Sequence, residues 1–180
     1  MIDRLIIACV ALCAATLAQA QHAQPYAGQQ SRAIKALSDA EVKQYLEGAG
    51  LGYALAAELN RYPGPMHVLE LADKLQLTAD QRARTAELMQ HHKFEARALG
   101  RKLVDAEQAL DELFRSARAD QATLAAQVRA VALAQGEYRL SHLETHRRMR
   151  ALLTEEQVSR YDALRGYAAG TAQAPHSKGH

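Results

Sequence analysis

The chain has 180 residues, enough for one domain, with 48% apolar residues but only 5% aromatic and no tryptophan. Alanine and leucine carry the apolar share, which suits helix packed on helix rather than a sheet sandwich and predicts an all-α fold. Its 22 basic and 20 acidic residues leave a formal charge of +2, so there is no electrostatic case for a nucleic-acid partner.

Residues 1–20 read as a signal peptide. Arg4 supplies a positive start, Leu5 to Leu17 an apolar stretch, and Ala18-Gln19-Ala20 a small-x-small cleavage site. The apolar run is too short for a membrane span, so the expectation is an exported, periplasmic protein cut near Ala20. Cys9 and Cys13 leave with the signal, which removes disulfide and thiol chemistry from the mature chain. Residues 21–36, rich in Gln, Ala and Gly, are expected to form a disordered arm, and 170–180, with His176 and His180, a disordered tail. A single all-helical domain is expected between them, over 37–169.

Within that domain Ser38-Asp39-Ala40-Glu41 is a capping box that starts a helix. This helix falters at Gly48-Ala49-Gly50, resumes from Leu51 to Asn60 and ends at Pro63-Gly64-Pro65. A short helix over Met66 to Leu75 follows. Two further boxes, Leu77-Thr78-Ala79-Asp80-Gln81 and Leu153-Thr154-Glu155-Glu156-Gln157, each pair a Thr N-cap with a Gln three residues on. Between them lie two heptad-patterned segments, about 79–116 and 120–152, joined by a tight turn near Ala117. The first is roughly 55 Å long at 1.5 Å per residue, and together they predict a long antiparallel hairpin, closed by a short helix from Glu155 to Tyr167.

One seam runs through Thr85, Met89, His92, Ala96, Leu99 and Leu103, the other through Val131, Gln135, Tyr138, His142, Thr145 and Met149. A turn centred on Ala117 sets Leu103 opposite Val131, Ala96 opposite Tyr138 and His92 opposite His142. Leu133, Leu140 and Leu143 form a second apolar line about half a turn away, which one hairpin cannot cover and which predicts a homodimer. Phe94, opposite its own seam, is expected to pack under a neighbouring helix.

The paired boxes, the signal peptide and the stretch His142-Leu143-Glu144-Thr145 make this chain resemble the Spy/CpxP family, the LTxxQ family of periplasmic proteins, over about residues 66–166. The motif residues are Leu77, Thr78 and Gln81, and Leu153, Thr154 and Gln157. The resemblance implies an all-α fold of long helices, usually an antiparallel dimer. It also implies one of three roles: an ATP-independent chaperone for unfolded periplasmic proteins, an inhibitor of a sensor-kinase domain, or a zinc- or nickel/cobalt-responsive protein. The extension around Pro63-Gly64-Pro65 departs from the family chaperones.

No phosphate-binding loop, dinucleotide fingerprint or nucleophile elbow occurs. His142 and His146 keep the spacing of a zinc-protease pair, but Glu144 is two residues past the first His instead of one, so the catalytic base is missing and no enzyme is expected. Arg147, Arg148 and Arg150 read as a solvated face balanced by Glu144, Glu155 and Glu156. The one metal candidate is His92 with His142 and His146, to which Glu95 could add an oxygen, and zinc or nickel/cobalt would suit it. Against it stands the reading of His92 and His142 as hydrogen-bonded seam residues without metal. The expected function is therefore chaperone-like client binding, with a heavy-metal sensor or resistance protein as the alternative.

Overall fold

The computed structural model describes residues 24–167; the expected signal peptide, both cysteines, His176 and His180 lie outside them. Residues 24–31 form a unit of local turns that ends in a single 3-10 turn, Gln29–Ser31, held by Ser31 Oγ donating to Gly28 O. From Arg32 onward the described chain is one compact unit. Its helices are α1 (Asp39–Glu47), α2 (Leu55–Glu58), α3 (Pro65–Glu70), α4 (Ala79–Arg115), α5 (Gln121–Leu152) and α6 (Glu155–Arg165), and no strand is formed among the described residues.

α1, α4 and α6 start at the three capping boxes legible in the sequence, and α5 starts at a fourth. Ser38, Thr78, Asp120 and Thr154 all close full capping boxes, which satisfy amide groups that would otherwise lack partners in the first turn. α1 stops at Gly48, whose φ of 72° is the left-handed conformation that glycine adopts without strain. α3 starts on Pro65 at its first turn and reaches Glu70, shorter than the expected helix to Leu75, with turns from Leu71 to Gln76. The hairpin bend falls at Ala117, with φ of 56°.

α4 and α5 pack along each other as the heptads require. Two apolar clusters form on this pair. At its base, Val68, Leu75, Leu77, Leu88, Met149, Leu153, Val158 and Tyr161 bring α3, α4, α5 and α6 together. Further along, Ile34, Leu37, Tyr45, Tyr53, Leu103, Val104, Ala134 and Tyr138 join the N-terminal segment to the hairpin. Ile34 is 5% exposed, so the arm expected to stay disordered through residue 36 is already packed there: its side chain buries apolar surface that α4 offers beyond α1. Asp111 fixes that segment by accepting from Lys35 N at 3.1 Å.

Phe94 departs from its expected burial. It is 79% exposed, because among the described residues from Arg32 onward no element lies over the outer face of α4 at that point. Leu133 and Leu140 are exposed to a similar degree, 65% and 64%, while Leu143 is half-buried.

Candidate functional site

The two boxes do more than cap. Thr78 Oγ1 accepts from Gln81 N and Thr154 Oγ1 from Gln157 N, and each Gln Oε1 accepts from the cap residue's own N–H at 3.0 Å. The glutamine amides then bond each other. Gln81 Nε2 donates to Gln157 Oε1 at 2.8 Å, and Gln157 Nε2 to Gln81 Oε1 at 2.9 Å. Their remaining amide hydrogens go to Leu152 O and Leu75 O. Every donor and acceptor of the pair is used, which is what a partly buried polar network needs to be stabilising. Beneath this clasp Leu77 and Leu153 are both buried in the base cluster, Leu153 together with Val158 five residues on, the spacing of a hydrophobic staple. The motif thus ties the start of α4 to the start of α6.

Between the two apolar clusters the seam turns polar. His92 and His142 are buried, with ring centroids 4.5 Å apart and planes at 85°, the facing pair expected from the register. Thr145 Oγ1 donates to Ser141 O at 2.8 Å. A hydroxyl has one proton, so the 3.0 Å contact with His92 Nδ1 places the proton on that nitrogen. His142 Nδ1 donates to Tyr138 O at 2.9 Å. Its Nε2 is buried and makes no well-formed hydrogen bond, although the backbone of Gly48 and Ala49 is near enough to favour the charged ring. Burial, reinforced by the His142 charge, pushes His92 down to about 4. Burial also pushes His142 down, against the carbonyl of Tyr138, which supports the charged form. Both rings are accordingly neutral at neutral pH.

His146 belongs to a different group. Its Nδ1 donates to Tyr62 O at 2.7 Å and lies 3.7 Å from Glu58 Oε2. Glu58 is buried and accepts from Tyr161 Oη at 2.5 Å and from Gly64 N at 3.1 Å. Arg61 anchors the same segment by donating to Asp162 at 3.1 Å. Glu95 is exposed and lies on the His91 side, 4.0 Å from that ring, away from the seam. The structure therefore brings together His92 and His142, gives His146 to the Glu58 group, and separates Glu95 from all three. Among the described residues no three His, Cys, Asp or Glu side chains are placed to hold one metal ion. Ser141 Oγ donates to Tyr138 O, so it forms no nucleophile–base pair with the adjacent His142.

Sequence reasoning missed the contact that locks the N-terminal segment onto the hairpin. α1 crosses α4 at Gly100, where any Cβ would overlap the Tyr45 carbonyl oxygen and would sit 3.2 Å from the Tyr138 ring. Tyr45, Tyr53 and Tyr138 cluster there with edge-on geometry, centroids 5.3–5.4 Å from Tyr138. Tyr138 Oη donates to Ala49 O at 2.5 Å, and burial pushes its phenol up. An isolated glycine inside a strongly helical stretch was the available signal.

These features define an all-α protein built on a capped antiparallel hairpin, with a clasp at its base and a neutral polar layer in its seam. A family model described as LTXXQ motif family protein matches residues 65–165, and the chain belongs to that family. No curated protein and no solved structure matches the chain. No described helix is long and apolar enough to cross a membrane.

Proposed function

We propose that this protein is a periplasmic, ATP-independent chaperone-like protein that holds unfolded or stress-damaged clients without catalysing a reaction. The observation that carries this reading is the amount of large apolar surface left uncovered on the hairpin: Phe94, Phe114, Val128, Leu133 and Leu140 are all exposed. Scattered apolar side chains among charges of both signs bind many sequences weakly and release them. The signal peptide read from residues 1–20 supports export. The line Leu133, Leu140 and Leu143 supports a homodimer, in which a second copy shares this face with client.

The test is light scattering of a chemically denatured client diluted into buffer without nucleotide. Equimolar mature protein is expected to suppress aggregation, and the triple variant Phe94→Ser, Leu133→Ser, Leu140→Ser to lose most of that effect. Unchanged scattering with the native chain sinks the reading. A sedimentation mass of one chain at micromolar concentration rules out the dimer and leaves client holding to the monomer.

A metal-responsive role for zinc or nickel/cobalt is the second reading. Its support is the buried Nε2 of His142, which makes no well-formed hydrogen bond, beside the His92 ring. A rise in melting temperature with zinc that His142→Ala removes is its expected signature. No rise would leave the chaperone reading alone.

A further inference from the structure

A cleft of about 630 Å³ opens between the segment that precedes the family match and the hairpin. Its size falls within the range of small-molecule sites, roughly 300–1,000 Å³. One wall is the α1–α2 connection and α2 itself, from Glu47 to Glu58; the others come from the start of α3, from α4 and α5, and from Arg165 and Tyr167. Apolar contact comes from Leu51, Leu55, Met66 and Met89, of which Leu55 and Met66 are about half exposed, so the apolar wall faces the opening.

The charges around the cleft are unequal. Both acidic residues that line it are engaged: Glu47 lies 3.9 Å from Lys43, and Glu58 is held by Tyr161 Oη, Gly64 N and Arg165. Lys93 and Arg97 also line it, one turn apart on α4 and exposed, and neither side chain forms an ion pair or hydrogen bond. The lining imidazoles of His142 and His146 have their Nδ1 protons committed to Tyr138 O and Tyr62 O, so they add no further donor from that nitrogen. The uncompensated charge is therefore positive and sits beside an apolar wall.

We propose that this cleft binds a small amphipathic carboxylate, an aliphatic acid whose chain lies along Leu51, Leu55, Met66 and Met89 and whose head group is met by Lys93 and Arg97. Guanidinium and ammonium groups recognise a carboxylate through charge-assisted hydrogen bonds, and the apolar wall removes the chain from water. The site does not depend on client holding, since half of it lies in the segment before the family match.

The probe is decanoate, kept below its micellar concentration and titrated calorimetrically into the mature chain. Acetate, decanol and decyltrimethylammonium serve as comparisons. Saturable one-to-one binding of decanoate in the sub-millimolar range is expected, with decanol and the Lys93→Gln, Arg97→Gln variant each weakened about tenfold. Acetate and the ammonium amphiphile should not bind measurably. Both substituted side chains are exposed, so the variant keeps the fold, which its melting curve verifies. Because the chain has no tryptophan, Leu55→Trp gives an independent fluorescence readout at the cleft should the heat of binding be small. Equal affinity for decanoate and decyltrimethylammonium, or an unchanged Kd in the charge variant, overturns the proposal in favour of unspecific apolar adsorption. Absence of saturation in both readouts overturns it outright.

Discussion

The two halves of the hairpin carry the same heptad pattern and are built differently. In the half nearest the clasp, most seam residues are buried: Thr85, His92, Ala96 and Leu103 on α4, and Tyr138, His142, Thr145 and Met149 on α5. In the half nearest the turn none is: Leu110, Leu113, Leu124 and Val131 are half-buried, and Phe114 and Val128 are exposed. The difference is the number of layers. Near the clasp α1 and α3 lie against the pair and residues 34–37 extend the cover as far as Asp111, whereas beyond that point only the two helices pack together among the described residues from Arg32 onward. Two helices form one contact line and leave the flanks of each seam residue in water, so a heptad predicts which side chains meet but not how dry they become.

The largest expected effect separates two helical glycines that look alike in sequence. Gly100 lies under the Tyr45 carbonyl, while a Cβ at Gly136 meets nothing within 4 Å. Gly100→Ala is expected to destabilise the fold by about 3 kcal/mol, the upper end of overpacking costs, because the backbone it meets cannot yield. Gly136→Ala should instead stabilise by up to about 1 kcal/mol, the helix-propensity difference. Urea denaturation of both variants checks this, and equal shifts would mean that α1 does not cross α4 at Gly100. Leu103 and Leu110 extend the comparison: Leu103→Ala, at a fully buried site, should cost about 3 kcal/mol, and Leu110→Ala, at a half-buried one, nearer 1 kcal/mol.

The second effect depends on pH. The folded-state value of His92 is depressed to about 4, against about 6.5 for an unperturbed histidine. The unfolded chain therefore binds this proton first as the pH falls. Stability from a neutral, buried His92 is fully present above about pH 6.5 and is lost between there and about pH 4. The depression corresponds to at most roughly 3 kcal/mol. His142 is shifted in the same direction and adds to the loss. Titratable and charged groups near the pair include His91, His146, Lys93 and Glu58, and two close imidazolium rings would repel. Chemical denaturation at pH 7 and pH 5 is expected to show the native chain losing stability and His92→Leu losing distinctly less. Parallel losses would remove the seam histidines as the cause.

Much of this architecture was legible in sequence because its determinants are local. Ser38, Thr78 and Thr154, each with its box partner three residues on, mark helix starts, and the alternating steps of four and three brought His92 to His142 across the turn at Ala117. The remainder depends on contacts between residues far apart in the chain. Tyr45 reaches Gly100, and Glu58 reaches Tyr161 over 103 positions, and no pattern within either segment encodes the partner. Ile34 was legible as apolar but not as buried, since its cover comes from Leu103 and Val104. The candidate metal set failed to converge for a related reason: spacing put His142 and His146 on one helical face, but the Tyr62 carbonyl and Glu58 claimed the second ring.

A third, smaller effect tests whether the clasp holds the base together. Gln81 serves a cap, a carbonyl and a partner amide at once. Gln81→Ala should cost about 2 kcal/mol, the sum of a cap and one or two net hydrogen bonds. Gln157→Ala should cost a similar amount, because its contacts mirror those of Gln81. The double variant should cost less than the two single costs added, by about 1 kcal/mol, since each single change already leaves the other amide unpaired. Strict additivity in urea melts would mean that the glutamines act only as separate caps.

The smallest expected stability effect lies at the outer end, and it separates holding the fold from holding a client. Phe114 is 60% exposed one turn before the bend, beyond the point where residues 34–37 cover the hairpin. Phe114→Ser removes little buried surface and should change unfolding free energy by no more than about 0.5 kcal/mol. The same side chain is among the largest apolar groups available to a client, so its loss should measurably reduce aggregation suppression while the melting temperature stays put. Leu88→Ser, in the base cluster, should do the reverse per mole of folded protein: a large stability loss with suppression intact under conditions where the chain remains folded. If the serine at 114 lowers stability as much as the one at 88, the outer half is packed against something in solution, and a second copy of the chain along α5 is the partner to examine by sedimentation.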